Sequence, residues 1–373
     1  MCQFVLRCPS GPGAFILRSR FMKPKIYKTY RQLISILRSR GLNIKQGSAG
    51  SRTMRILEKE NYYNVINGYK DLFIQTPATD MTDEVYKTTA TFDEIFALYS
   101  FDREIRIIYL KYILKLENHF KTVVSHCFSQ KYGHDNYLKL SSFQHEASSD
   151  SYELSHIAKR NHLDMTADID KIRQISAEDN VSNVTRLLGD IQQEIARQLN
   201  KHHQVVTHYM TQHGYIPLWV LVNVLTFGKV TTFYRNLKED DKIEIAKQFG
   251  INYKELHKYM TMMGFARNVC AHDERFFDIR FSQRLHTKSI KNFSSLKLPR
   301  DKSGSYTKGT CDAYAIAIIF TQLLSKPDLK EFVSSMNSEI KKLSKSLVTI
   351  SADEVLSRMG YTTDWKEILN IVK

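Results

Sequence analysis

The sequence predicts an all-α protein, and three observations carry that expectation. Between Phe92 and Gln130, Ile95, Leu98, Tyr99, Ile105, Ile108, Tyr109, Tyr112, Ile113, Leu116 and Phe120 recur mostly at threes and fours, the spacing of one helical face. No other apolar segment shows the period-two alternation of a half-buried strand. The chain also lacks a glycine-rich phosphate loop, a C-x-x-C pair and a G-x-S-x-G elbow, which argues against the common α/β nucleotide-binding and hydrolase classes. With 373 residues, 42% of them hydrophobic, it can bury a large core in one big domain or two.

Lysine and arginine outnumber acids by 54 to 39, a net charge of +15 that favours a polyanionic partner. Residues 1–60 hold thirteen of the bases against two acids, Glu58 and Glu60, so most of the excess is local. Tyr27 and Tyr30 lie among those bases, a composition suited to nucleic acid, although a solvated basic face has the same look. The five cysteines are scattered, which reads as a reduced, cytosolic chain rather than a disulfide scaffold. Pro9, Gly11, Pro12 and Gly13 break the apolar run a signal peptide needs, and the run Ala313 to Phe320 is too short to span a bilayer. A cytoplasmic protein without membrane association is expected.

Taken in order, Thr29 caps a helix with an apolar stripe of Tyr30, Leu33, Ile34 and Leu37, and Gly41 ends it. Tyr62, Tyr63 and Tyr69 read as packing aromatics. The long helix over Phe92 to Gln130 carries Arg103, Arg106 and Glu117, which can line a site or form helix ion pairs. Residues 141–182 are polar and rich in serine and aspartate; a helix then runs from about Val184 to His213. His202, His203, His208 and His213 near its end have no carboxylate or thiol at ligand spacing, and His145-Glu146 lacks the second histidine of a zinc-protease helix, so no metal is expected. Pro217 starts a buried helix that Gly228 ends. Short helices over Lys242–Phe249 and Tyr253–Met263 lead to Arg267. A Ser/Lys/Gly-rich loop, 287–310, either grips phosphates or stays solvated, and helices follow over Cys311–Leu324, Leu329–Leu347 and Ala352–Met359.

The segment Gly264-Phe265-Ala266-Arg267-Asn268-Val269-Cys270-Ala271-His272-Asp273-Glu274-Arg275-Phe276-Phe277 is the chemical centre of the sequence. At 100° per residue, Asn268, His272 and Arg275 share a helical stripe, while Arg267 points about 140° from His272. A guanidinium forks onto phosphate oxygens and an imidazole passes protons near neutral pH. The bare spacing is not specific: Arg197 and His202 have the same gap.

The residues around the pair are more telling. Arg-Asn-x-Cys-Ala-His-x-x-Arg resembles the R-N-x-x-x-H signature of HEPN ribonucleases and, more narrowly, the Abi-like (AbiD/AbiF) phage-defence family. Lys28-Thr29-Tyr30, Phe101-Asp102-Arg103-Glu104-Ile105-Arg106 with Glu117, Pro217-Leu218-Trp219 to Phe227-Gly228, and Gly360-Tyr361 to Trp365 resemble that family too, with Asn223 where it often has an acid. The resemblance runs over nearly all of 22–373. It implies a HEPN-like bundle over 92–373, with polar segment 141–182 and basic loop 287–310 set into it. A basic helical region, 22–91, precedes the bundle, and residues 1–21 form a disordered upstream extension. It further implies a cofactor-free, metal-independent endoribonuclease working as a homodimer with two motifs facing one cleft. His272 would be general acid or base, Arg267 would stabilise the phosphorane, and Asn268 would orient them. Arg275, Arg103, Arg106, Arg31 and Arg38 would hold RNA, and a small regulatory RNA or an antitoxin would be a further partner. The alternative is an RNA-binding module in which the motif is structural.

Overall fold

The computed structural model describes residues 26–372, so the expected extension 1–21 lies outside the described residues. Helices α1 (Tyr30–Ser39) and α2 (Ser48–Lys59) lead through helical turns at Tyr63–Asn67 and Lys70–Phe73 to a small antiparallel ribbon, β1 (Ile74–Thr76) and β2 (Val85–Tyr86). Then come α3 (Phe92–Tyr132), α4 (Ser151–Asn161), α5 (Ile169–Asn200), α6 (Gln204–His213), α7 (Leu218–Leu221), α8 (Phe227–Arg235), α9 (Glu239–Phe249) and α10 (Tyr253–Ala271). The chain closes with α11 (Ala313–Leu323), α12 (Lys326–Ser346), α13 (Ala352–Arg358) and a 3-10 turn, Trp365–Ile371. The fold is all-α. No helix among the described residues is long and apolar enough to cross a membrane.

The 41-residue helix α3, roughly 60 Å long at 1.5 Å per residue, is the axis of the molecule. Thr91 and Glu94 close a capping box at its start, and Gly133, at φ +86°, ends it. Helices α7, α8, α9, α10 and α12 pack around it, which is why apolar residues occur on every side of its sequence. Glu94 also accepts from the backbone N–H groups of Val348 (2.7 Å) and Thr349 (2.6 Å), tying that first turn to the chain after α12. Every residue from Ala313 to Thr321 in α11 is buried. One hydrophobic core runs continuously from Ile34 in α1 to Ile371, and a small satellite of Leu154, Ala158 and Ile172 joins α4 to α5.

Several sequence expectations change. Tyr30 and Tyr63 are exposed, because each faces away from the core that buries Leu37 and Tyr69. The helix expected from about Val184 starts at Ile169, since the polar stretch supplies its solvent face while Ile172 and Ser176 pack inward. It breaks before His213: His202 is left-handed (φ +53°), and the His203 side chain caps a separate helix, α6. Gly228 does not end a helix either; Thr226 caps α8, so the glycine lies in its first turn. Loop 287–310 is ordered, with Ile290, Phe293, Leu296 and Leu298 buried in the core.

Candidate functional site

Helix α10 is begun by Asn252, whose side chain accepts from the Lys254 N–H at 2.9 Å. Leu256, Tyr259, Met260, Met263, Ala266 and Cys270 form its buried stripe. The opposite stripe carries Phe265, 52% exposed, with Asn268 and His272, both exposed. The helix is unbroken through Ala271 and His272 is its C-terminal cap, its N–H donating to the Asn268 carbonyl at 3.0 Å. Arg267 therefore stays on a different face from His272, as 100° per residue requires. Among the described residues neither the Asn268 amide nor the His272 imidazole has a side-chain hydrogen-bond partner, so both are free to meet a ligand.

What stops the helix is Asp273, held in the left-handed region at φ +57°, a conformation that aspartate tolerates better than most residues. Its carboxylate pairs with Arg106 Nη1 at 2.5 Å. Arg106 is 3% exposed and also lies 3.5 Å from Asp102, one helical turn earlier on α3. Asp102 is fully buried, and its carboxylate accepts from Tyr69 Oη (2.6 Å) and from the backbone N–H groups of Phe276 (3.1 Å) and Phe277 (2.6 Å). Burial pushes the Asp102 carboxyl up to about 6, against the opposing pull of Tyr69, the two amides and Arg106. Phe276 then enters an aromatic cluster, 4.6 Å from the Tyr109 ring, which itself lies 5.2 Å from Phe332. The turn after α10 is thus clamped to the N-terminal half of α3.

Arg267 is half-buried, with Nε 3.8 Å from Glu117 Oε2 on α3. The other Glu117 oxygen takes Lys121 at 2.8 Å. At 3.8 Å the Arg267 pair is an ion pair without a hydrogen bond, and Arg267 Nε and Glu117 Oε2 both remain without hydrogen-bond partners in a buried setting. Between the two motif residues, burial raises the Cys270 thiol to about 12, so it supplies no thiolate nucleophile at neutral pH.

The remaining nominated arginines are mostly engaged within the chain. Arg106 is buried between Asp102 and Asp273 and presents almost no surface. Arg275 donates to the Gly68 carbonyl at 2.6 Å and pairs with Asp278 at 2.8 Å, joining the turn to the N-terminal region. Arg103 bridges Glu60 (2.8 Å) and lies over the Tyr99 ring. Arg38 donates to the carbonyls of Ile44 (2.8 Å) and Lys45 (3.0 Å) and shapes the loop after α1. Arg31 is exposed and has no partner among the described residues. Asn223 donates to the Trp219 carbonyl at 3.1 Å and is exposed. No group of three or more histidine, cysteine or carboxylate side chains is placed to hold a metal among the described residues.

The residue that sequence reasoning passed over is Asp102, although it stands between the quoted Phe101 and Arg103. A carboxylate spaced four before an arginine, both on the apolar face of the helix, was the available signal. Neither a curated protein nor a solved structure matches this chain. The family model described as Abi-like protein matches residues 55–278, more than half of the sequence. That span holds α3, α10, the clamp between them and Tyr69, and it leaves out α1 and everything from Ile279 onward. The chain belongs to the Abi-like family.

Proposed function

We propose that this protein is a metal-independent endoribonuclease of an abortive-infection, phage-defence system, acting as a homodimer in which two α10 ends share a cleft. The observation that carries the reading is the pairing of exposed, unpartnered Asn268 and His272 with a turn that Asp102 and Arg106 hold rigid. Rigid support for an exposed imidazole is what positioned proton transfer requires. In the reaction, one imidazole takes the proton of a 2′-OH as its oxygen bonds to phosphorus. A second imidazole, from the other copy, protonates the departing 5′-oxygen as the P–O5′ bond breaks. In that reaction the Arg267 guanidinium would leave Glu117 and turn from its own face of α10 to the charge that builds on the phosphorane oxygens, and Asn268 would orient the imidazole. The half-exposed Phe265, on the same stripe as Asn268 and His272, supplies an apolar contact for the second copy.

Cleavage is expected to persist in EDTA, to leave a 2′,3′-cyclic phosphate with a 5′-OH, and to spare DNA of the same sequence. His272→Ala should lower the rate by at least about 100-fold, the usual scale of one acid–base group, while RNA binding persists. Undiminished cutting by that variant sinks the mechanism. One observation favours the second reading, a non-catalytic module holding a regulatory RNA: Arg267 is already partnered by Glu117. Stable RNA binding with no strand loss decides for it.

A further inference from the structure

We propose that the loop from Arg284 to Thr310 forms a binding site for the phosphate groups of a nucleotide, separate from the Arg267–His272 end of α10. A cavity of about 570 Å³ opens there, within the size range of small-molecule sites. Its wall carries Arg284, Lys288 and Arg300 and not one carboxylate. Asp301, the next residue after Arg300, accepts from the N–H groups of Ser303 (2.8 Å) and Ser305 (3.0 Å); it is not part of the wall, although it lies near enough to Arg284 to feel that charge. A second cavity of equal volume beside α9 makes the contrast: it carries Arg235 and Lys242 but also Glu146, Glu153, Asp179 and Glu239, and so does not select an anion.

The two arginines of the loop site are held ready. Arg284 is braced on the Tyr306 carbonyl and on Cys311 Sγ (3.5 Å). Arg300 donates to Tyr306 Oη at 2.5 Å and stacks with its guanidinium carbon 4.3 Å from the ring centre. Five N–H donors on each guanidinium leave several for a ligand after these contacts, and prior ordering lowers the entropic cost of binding. Lys288 has no partner among the described residues.

The independent sign of a ligand is Thr310. It lies on the cavity wall, is 3% exposed, and its hydroxyl has no hydrogen-bond partner. A buried hydroxyl left unmatched is unfavourable, and a phosphate oxygen would satisfy it once the wall shifts to uncover it. The site is far from the motif. His286, between two lining residues, meets Glu255 in the first turn of α10 at 3.4 Å, and from there the helix runs roughly 25 Å to His272 at 1.5 Å per residue. It also lies beyond residue 278, where the family match ends.

The phosphates could belong to a free nucleotide or to an RNA chain, and calorimetry on the full chain separates these sources. The probes are ATP, inorganic pyrophosphate and a short 2′-O-methyl oligoribonucleotide, which cannot be cut through its 2′-oxygen. Saturable binding of ATP or pyrophosphate assigns a free phosphate compound, and binding of the oligonucleotide alone assigns a chain phosphate. In either case Lys288→Glu should weaken binding by about tenfold or more through charge reversal. Thr310→Val, which removes only an unpartnered hydroxyl, should weaken it by about threefold. Because Lys288 and Thr310 lie far from the end of α10, loss of binding in these variants assigns the ligand to the loop and not to the Arg267–His272 segment. The proposal is overturned if no probe binds the wild type below about 1 mM, or if both loop variants bind like it.

Discussion

Asp102 is the residue on which the end of α10 most depends. It receives three donors, Tyr69 and two backbone amides, and faces Arg106, all without solvent. Asp102→Asn keeps the shape but puts an NH2 where a donor now enters, so denaturant unfolding should show a loss of about 1–3 kcal/mol. Asp102→Asn should also slow cleavage, because the loosened turn carries His272. Glu194 makes the opposite electrostatic case. Burial favours its neutral form, yet hydrogen bonds from Arg197, Gln198 and Lys229 prevail and hold it at about 2 against an ordinary 4.5. A depressed carboxyl stabilises the fold above the unfolded value and loses that contribution as pH falls through the folded one. Stability measured from pH 5 to pH 2 should therefore fall less steeply in Glu194→Gln than in the wild type. Arg197, which shares the bare spacing of the motif with His202, is thus a structural cation. Arg197→Ala should weaken the fold and spare RNA cleavage.

At the scale of elements, helix ends decide more than helix middles. Helix α10 ends where Asp273 turns left-handed and meets Arg106, and that stop leaves His272 exposed at its cap. Helix α11 begins at Asp312, whose carboxylate accepts from the N–H groups of Ala315 (3.1 Å) and Gly309 (2.8 Å). Gly360, at φ +87°, runs against that same carboxylate, and a Cβ there would fall 2.0 Å from it. Gly360→Ala should consequently destabilise by roughly 3 kcal/mol, combining backbone strain with displacement of a buried cap. A melting temperature unchanged in Gly360→Ala would show that the Asp312 cap moves freely.

At the scale of the whole molecule, the exposed stripe of α10 bears on association with a second copy. Phe265, Asn268 and His272 share one stripe of α10, so a dimer through this face would bring the two His272 imidazoles together, while each Arg267 stays on another face of its helix. Phe265→Glu should shift the protein to monomer in light scattering and reduce RNA cleavage in step, with recovery at high protein concentration. A Phe265→Glu monomer that cuts at the full rate would show that each chain is complete by itself.

Much of the fold was legible because it rests on local chemistry. Spacing at threes and fours marked α3, Thr29 and Gly41 bounded α1, and the residues around Arg267 marked the segment and its family. The sequence by itself determined the helical class and the family to which the segment around Arg267 belongs. Tertiary structure decided which polar groups are free. Arg106, Arg275 and Arg103 look alike in sequence to Arg31, yet the first three are bound by Asp273, Gly68 and Glu60, partners far away along the chain. Such pairs leave no periodic trace, because a charge buried between two elements is specified by their packing and not by its own neighbours. The same holds for Asp102 and Thr310: one is filled and the other left empty-handed by contacts that exist only once α3, α10 and the loop before α11 have come together.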